Sequence, residues 1–342
     1  MNKKIKNTEE RRELTLYLAG QYRMITYDAV VKIYGGSSSA YYWIKKLQDE
    51  GYLKRVGRSE LQLTAKGREY VRNKYGLEVE PVKGKDKKKR WEKVKKIAFR
   101  DALMGKVIPA WCLKKENNML DTKNQVVGVV EAPNAGRDGN RGKAIFMIRS
   151  ETVQKVITEM IGDAEEISKL GYKEVLVICE GEKEIKAVEK AIKRIDAKDI
   201  GRLMVLPGDE TSLELMEIIL LIDDWRERVI RYVYQGHLYR MANLALADAE
   251  VIINSSSKIE RVWVGIDCDV LRRQTMEMYP EVVQGEIDRV VCLRSQVQSR
   301  YANLKIKLDV IDDDKFFKLF KRDLAEKRRV EEWFKCLPNY ES

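Results

Sequence analysis

Apolar positions recur with helical spacing along residues 8–76, interrupted once by an alternating stretch. Leu14, Leu16, Tyr17 and Leu18 fall on or near one face of a helix over residues 9–20, and Gly20 supplies a stop. A second helix opens at Ile25-Thr26, with Thr26 as N-cap and Ala29, Val30 and Ile33 facing inward. Gly35-Gly36 makes a turn, Ser37 or Ser38 caps a third helix with Trp43, Ile44 and Leu47 as its apolar stripe, and Gly51 ends it. Residues 52–56 (YLKRV) and 61–63 (LQL) then alternate like two strands around the tip Gly57-Arg58-Ser59-Glu60, and a fourth helix runs from Thr64 to Tyr75.

The pattern breaks over residues 77–90, where PVKGKDKKKR has no apolar period and a run of positive charge; this predicts a basic linker. A helix follows from Arg90 to Met104, then strands over 107–113, 125–131 and 143–149, the last two joined by the loop PNAGRDGNRG. A long amphipathic helix over 150–170 stops at Gly171. Strand 175–179, helix 182–195, strand 203–206 and a buried helix over 213–222 complete an α/β domain at 91–222. The C-terminal region, 223–342, predicts strands at 262–270, 289–293 and 304–310 and a helix over 315–335, an α+β arrangement. No internal repeat is visible.

Composition narrows the functional classes. The chain has 342 residues, two or three domains by length, with 35% charged residues and 44% hydrophobic. No apolar run reaches the roughly 20 residues of a membrane-spanning helix, and the first residues have charge but no apolar segment behind it, so neither a membrane nor a signal peptide is expected. Five scattered cysteines without a CxxC predict buried thiols, no structural zinc and a cytoplasmic setting. The single histidine, His237, cannot build a two-histidine metal site. It therefore excludes the His-hydrophobic-His cluster of rolling-circle initiators and many relaxases, and it reads as structural.

Net charge is +11, and its distribution matters more than its size. Residues 1–100 hold 26 Lys and Arg against 12 Asp and Glu, whereas the remaining residues hold 39 against 42. That asymmetry points to an acidic polymer docking at the N-terminal end.

Three helices, a β-wing and a closing helix, with a basic third helix, form the winged helix-turn-helix arrangement, and LKRVGRSELQLTAKGREYV resembles the wing and closing helix of that superfamily. The resemblance implies double-stranded DNA as partner, with the third helix in the major groove. Ser38, Ser39, Tyr41 and Tyr42 at its N-terminal end would reach base edges, and Lys45 and Lys46 would contact phosphates. Lys54, Arg55 and Arg58 belong to the wing, where the arginines would enter the minor groove or clamp phosphates. Lys87, Lys88, Lys89 and Arg90, read as a solvated tether or a phosphate-binding strap, and Arg137, Arg141 and Lys143 of the later loop are further phosphate candidates. The alternative for such a module is protein docking, with Tyr41 or Tyr42 partly in the core, since Trp43 alone does not fix the register of the buried face.

The body order also matches restriction-endonuclease-like nuclease cores, which need an acidic residue on the second strand and Glu-x-Lys on the third. Here the third strand is AIFMIRS, without a carboxylate, and Glu131 stands alone, so the core reads as degenerate and no catalytic residue is assigned. Gly136 to Ala144 has five residues between glycines and Ala after Lys143, which fails the spacing of a phosphate-binding P-loop. Asp267 and Asp269, two apart on a strand, would share a face suited to a divalent metal, or serve as solvated or structural strand-end residues; no cofactor is expected.

The whole resembles the replication-relaxation type proteins of plasmids and integrative elements in low-GC Gram-positive bacteria, through DEGYLKR, LTAKGREYV and the body order. That resemblance implies DNA binding in replication initiation, transfer or partition, with the body supplying homodimerisation and recruiting replication or transfer proteins. A winged-helix transcriptional regulator and a metal-dependent DNA-processing enzyme are the competing expectations.

Overall fold

A computed structural model describes residues 8–81, 87–117, 126–132, 141–149, 154–193, 199–242, 244, 246–253, 258–283 and 285–338. The chain divides into two units, residues 1–120 with 326–342, and residues 121–325. Mixed helix and sheet run through both, as the α/β or α+β reading expects. Among the described residues no helix is long and apolar enough to cross a membrane.

The first unit begins with α1 (Thr8–Gln21), β1 (Ile25–Thr26), α2 (Tyr27–Tyr34) and α3 (Ser37–Asp49). It continues with the hairpin β2 (Leu53–Arg55) and β3 (Glu60–Leu63), then α4 (Ala65–Tyr75). Leu14, Leu16, Leu18 and Ala19 of α1 are all buried, because α2, α4 and β3 close around it. Burying each leucine contributes roughly 1.5–3 kcal/mol. Ile25-Thr26, expected only as a helix start, also pairs antiparallel with β3 (Ile25 opposite Leu61), giving a small sheet in the order β1-β3-β2. The Thr26 hydroxyl still caps α2 by accepting from the Ala29 amide at 3.2 Å, and Thr64 caps α4 by accepting from Gly67 at 3.1 Å.

Glu13 is the charged exception inside this core. It accepts from the Tyr75 and Tyr70 hydroxyls and pairs with Lys74 at 3.0 Å, tying α1 to α4. Burial works to raise its pKa, but the hydrogen bonds from Tyr70, Tyr75 and Lys74 outweigh it and hold the carboxyl below its ordinary range.

Three expectations in this unit are corrected. The basic run is not a linker throughout: Lys87 to Arg90 form the first turn of α5 (Lys87–Ile97), anchored by the buried Trp91 and Ile97. That helix ends at Ile97 rather than Met104. Residues 107–113 are not one strand: β4 (Val107–Pro109) gives way to α6 (Ala110–Glu116), with Pro109 as the extended residue before the helix. Trp111, on that helix, donates to the Gln21 carbonyl at 2.9 Å.

In the second unit, β5 (Val126–Glu131) and β6 (Gly142–Ile148) are antiparallel, and β7 (Glu174–Cys179) and β8 (Arg202–Pro207) add parallel, in the order β5-β6-β7-β8. Helices α7 (Gln154–Lys169), α8 (Glu182–Ile192) and α9 (Glu210–Leu221) connect and follow them. β7 is apolar from Val175 to Cys179 and wholly buried, as a strand covered on both faces must be. After α10 (Trp225–Val233), a second sheet runs β9 (Leu238–Met241), β10 (Ala249–Ile253), β11 (Lys258–Val264), β12 (Arg289–Leu293), β13 (Lys307–Ile311). β9, β10 and β11 are antiparallel neighbours, and β12 and β13 add parallel. Helices α11 (Val270–Met278) and α12 (Pro280–Val283) lie between β11 and β12, and α13 (Asp313–Lys327) follows β13.

The unit therefore repeats one topology. The steps β5-β6-β7-β8 and β10-β11-β12-β13 are each antiparallel, parallel, parallel, and each series ends in a helix. The two sheets meet without a boundary at 222: Met204 on β8 bridges Asp269, and the Val205 amide donates to the Cys268 carbonyl at 3.3 Å. The expected helix 315–335 is broken into α13 and α14 (Val330–Phe334), and the chain returns to the first unit near the end of α13. Trp333 of α14 is fully buried and donates to the Asp101 carbonyl at 2.8 Å. Cys112, Cys179, Cys268 and Cys292 are buried, and burial pushes the thiols of Cys179, Cys268 and Cys292 up to about 12.

Candidate nucleic-acid interface

The geometry of α3 follows from its two glycines. Gly35 adopts φ 74°, a left-handed conformation that ends α2, and its amide and that of Gly36 donate back to Lys32 and Val31. The helix starts at Ser37, one residue beyond the extended Gly36, and no serine side chain caps it, contrary to expectation. Ala40, Ile44 and Leu47 form its buried face. Trp43 is only partly buried and stacks on Tyr34 with ring centroids 5.7 Å apart.

The opposite face is open. Ser38, Ser39, Tyr41, Tyr42, Lys45 and Lys46 are all exposed, with Tyr41 at 66% and Tyr42 at 59%. Positions 38, 41, 42 and 45 follow the 3.6-residue period, so they share one face. The register leaves neither tyrosine in the core. Lys46 lies over the Trp43 ring at 4.5 Å, which holds its ammonium near the helix surface.

The hairpin presents Lys54, Arg55 and Arg58, also exposed. Arg55 is turned back into its own tip, donating to the carbonyls of Gly57 at 3.0 Å and Arg58 at 2.5 Å. It rigidifies the tip, and Arg58 is the side chain left at the apex. Lys95 of α5 pairs with Glu60 on β3 at 2.6 Å, and that hydrogen bond holds the Glu60 carboxyl below its ordinary range. Lys88, Lys89 and Arg90 are exposed at the start of α5, while the Lys87 side chain lies outside the described residues.

The later loop contributes less than its sequence suggests. Arg137 lies outside the described residues. Arg141 pairs with Glu131 at 3.4 Å and sits over the Tyr172 ring. Lys143 is largely buried and pairs with Glu174 at 3.5 Å, so its charge is spent within the fold. Gly142 and Lys143 belong to a strand antiparallel to β5, which is a hairpin rather than a phosphate-binding strand-loop-helix.

Asp267 and Asp269 are not on a strand. β11 ends at Val264, Gly265–Asp267 is a 3-10 turn, Cys268 has φ 54°, and Asp269 caps α11 through the Leu271 amide at 3.1 Å. Both aspartates are fully buried. Asp267 takes Arg226 at 2.7 Å and Arg202 at 3.5 Å, and Asp269 accepts from the Leu203 amide at 3.3 Å. They are neither solvated nor arranged as a metal face. Among the described residues there is no group of three or more His, Cys, Asp or Glu that could hold a metal ion.

The centre of this network, unmarked in the sequence reading, is Asp248. One of its oxygens takes Arg202 at 2.6 Å and Arg272 at 2.9 Å, and the other takes the Val264 amide at 3.0 Å. Burial alone would raise its pKa, but Arg202, Arg226 and Arg272 hold it well below the usual carboxylate range. Burial, reinforced by the Asp267 charge, pushes Asp269 up to about 6. These groups lock the two sheets together. A faint signal existed, since Arg202 and Asp248 each directly precede an apolar strand run. Compared with known proteins, the chain matches no family model and no curated relative.

Proposed function

We propose that the first unit is a winged helix-turn-helix module that binds double-stranded DNA, with α3 in the major groove and the β2–β3 tip beside it. The observation that carries this reading is the exposed α3 face, where Ser38, Ser39, Tyr41, Tyr42 and Lys45 all stand open to solvent. Hydroxyls at the helix start suit base edges, and Lys45, Lys46 and Arg58 suit phosphates. The charge excess of residues 1–100 supports the same partner.

The module would serve a plasmid or other mobile element in replication initiation, transfer or partition, a reading carried by the resemblance in the sequence. The body would hold a homodimer together.

The test is fluorescence anisotropy of the full chain with duplex DNA across a salt series. Lys45→Ala, Lys46→Ala and Arg58→Ala are each expected to weaken binding and to lower the slope of log K against log salt by about 0.9. Unchanged slopes in all three would refute this docking face. Sequencing the fragments retained by the protein separates the roles: iterated repeats near an origin support the mobile-element reading, and sites over promoters support a regulator.

A further inference from the structure

In the second unit, α8, α11 and the π-helical turn Val297–Tyr301 line a half-open cleft of about 350 Å³. Its charge follows from helical spacing. Lys186, Lys190 and Lys193 stand at i, i+4 and i+7 on α8, which puts them in one stripe along the cleft wall. Lys193 lies 3.7 Å from Glu277, whereas Lys186 and Lys190 are exposed and have no carboxylate within ion-pair distance among the described residues.

The floor is built from two arginines. Arg273 is 6% exposed and pairs with Glu189 at 2.7 Å; its buried Nε lies 3.7 Å from Glu277 without a hydrogen bond. The Arg300 side chain, also largely buried, bridges two carboxylates, Glu189 at 3.4 Å and Glu182, outside the cleft lining, at 3.3 Å. Five cations thus face two lining carboxylates, Glu189 and Glu277. Gln298 and Ser299, on the π-helical turn, supply neutral hydrogen-bonding groups at the rim. π-helical turns occur frequently at functional sites.

Buried guanidiniums beside unpaired ammoniums favour a compact, multiply charged oxyanion, and phosphate matches the arginine fork. We propose that this cleft binds a phosphate group, gripped by Lys186, Lys190, Arg273 and Arg300. Gln298 and Ser299 hydrogen-bond the uncharged remainder of the ligand. The concavity and its volume, at the lower end for small-molecule sites, favour a small phosphorylated molecule over the backbone of a nucleic acid. This site is independent of the α3 face, and each can fail without the other.

The experiment is calorimetric titration of the full chain with sodium pyrophosphate and with ADP at constant ionic strength, alongside duplex binding. Wild type is expected to bind at least one probe, and the double variant Lys186→Ala/Lys190→Ala to bind it about a hundredfold more weakly, as loss of two charge-assisted hydrogen bonds at roughly tenfold each implies. Duplex affinity should not move. If neither probe binds but the variant loses duplex affinity and about 1.8 of salt slope, the phosphate site stands and its source is the DNA backbone. Binding of the probes undiminished in the variant, or no effect on any of the three ligands, overturns the proposal.

Discussion

Asp248→Ala is the sharpest perturbation of the second unit. Asp248 is 4% exposed and neutralises Arg202 and Arg272, whose side chains are 14% and 9% exposed. Removing the carboxylate leaves both guanidiniums short of counter-charge and frees the Val264 amide. Breaking a buried pair in this way costs about 3–5 kcal/mol. For a unit the size of Asp121–Ala325, that is a drop in melting temperature of about 10 °C.

Calorimetric melting of the full chain at pH 7 reads it, with the transition of the first unit as internal reference. The folded pKa of Asp248 is depressed, so its stabilisation is present above the unfolded value of about 3.9 and is lost as pH falls through the folded value. The gap between wild type and variant should therefore narrow in acid. Asp269 has the opposite sign. Its folded pKa is raised to about 6, so between about 3.9 and 6 the folded state holds the extra proton and stability falls as pH rises. Asp269→Asn keeps the acceptor for the Leu203 and Leu271 amides, and is expected within about 1 kcal/mol of wild type with that pH slope removed. An Asp248→Ala melting point within 2 °C of wild type, on the scale of about 2–4 °C per kcal/mol, would refute the idea that this network joins the sheets.

Two further outcomes concern the first unit. Glu13→Ala strands the Tyr70 and Tyr75 hydroxyls and should cost about 2 kcal/mol in chemical denaturation; because the folded pKa of Glu13 is lowered, the loss should shrink below about pH 4.3, as wild type gives up the same interaction. Gly67→Ala would place a Cβ 2.2 Å from the Tyr52 carbonyl oxygen, where α4 crosses the chain entering β2, and should cost about 1–3 kcal/mol and weaken duplex binding through loss of the fold. A Gly67→Ala protein that melts with wild type would show that this crossing yields freely.

The sequence by itself determined the order of elements in the N-terminal third and much of the body. Strand 289–293 is β12 to the residue, and Thr26 is the cap of α2, because local signals suffice there: an apolar run between polar turns, or a hydroxyl three residues before an orphan amide. Where two periods compete, local signals ran out. Residues 107–113 read as a strand, but Ala110 opens a helix whose Trp111 bonds to Gln21, and residues 262–270 read as a strand until the chain turns at Gly265, where a Cβ would collide with Tyr301 and Val290. The lysines of the candidate α3 face were legible from helical period and charge, but only the buried register of Ala40, Ile44 and Leu47 put Tyr41 and Tyr42 outside the core. The repeated sheet topology was not, since direction and order depend on pairing between distant strands and leave no trace in residue type. The same holds for the charged residues. Asp248 and Arg202 look like ordinary polar punctuation and Asp267 and Asp269 like a pair at a strand end, and only the meeting of β8 with the turn after β11 takes them from water and makes them depend on one another.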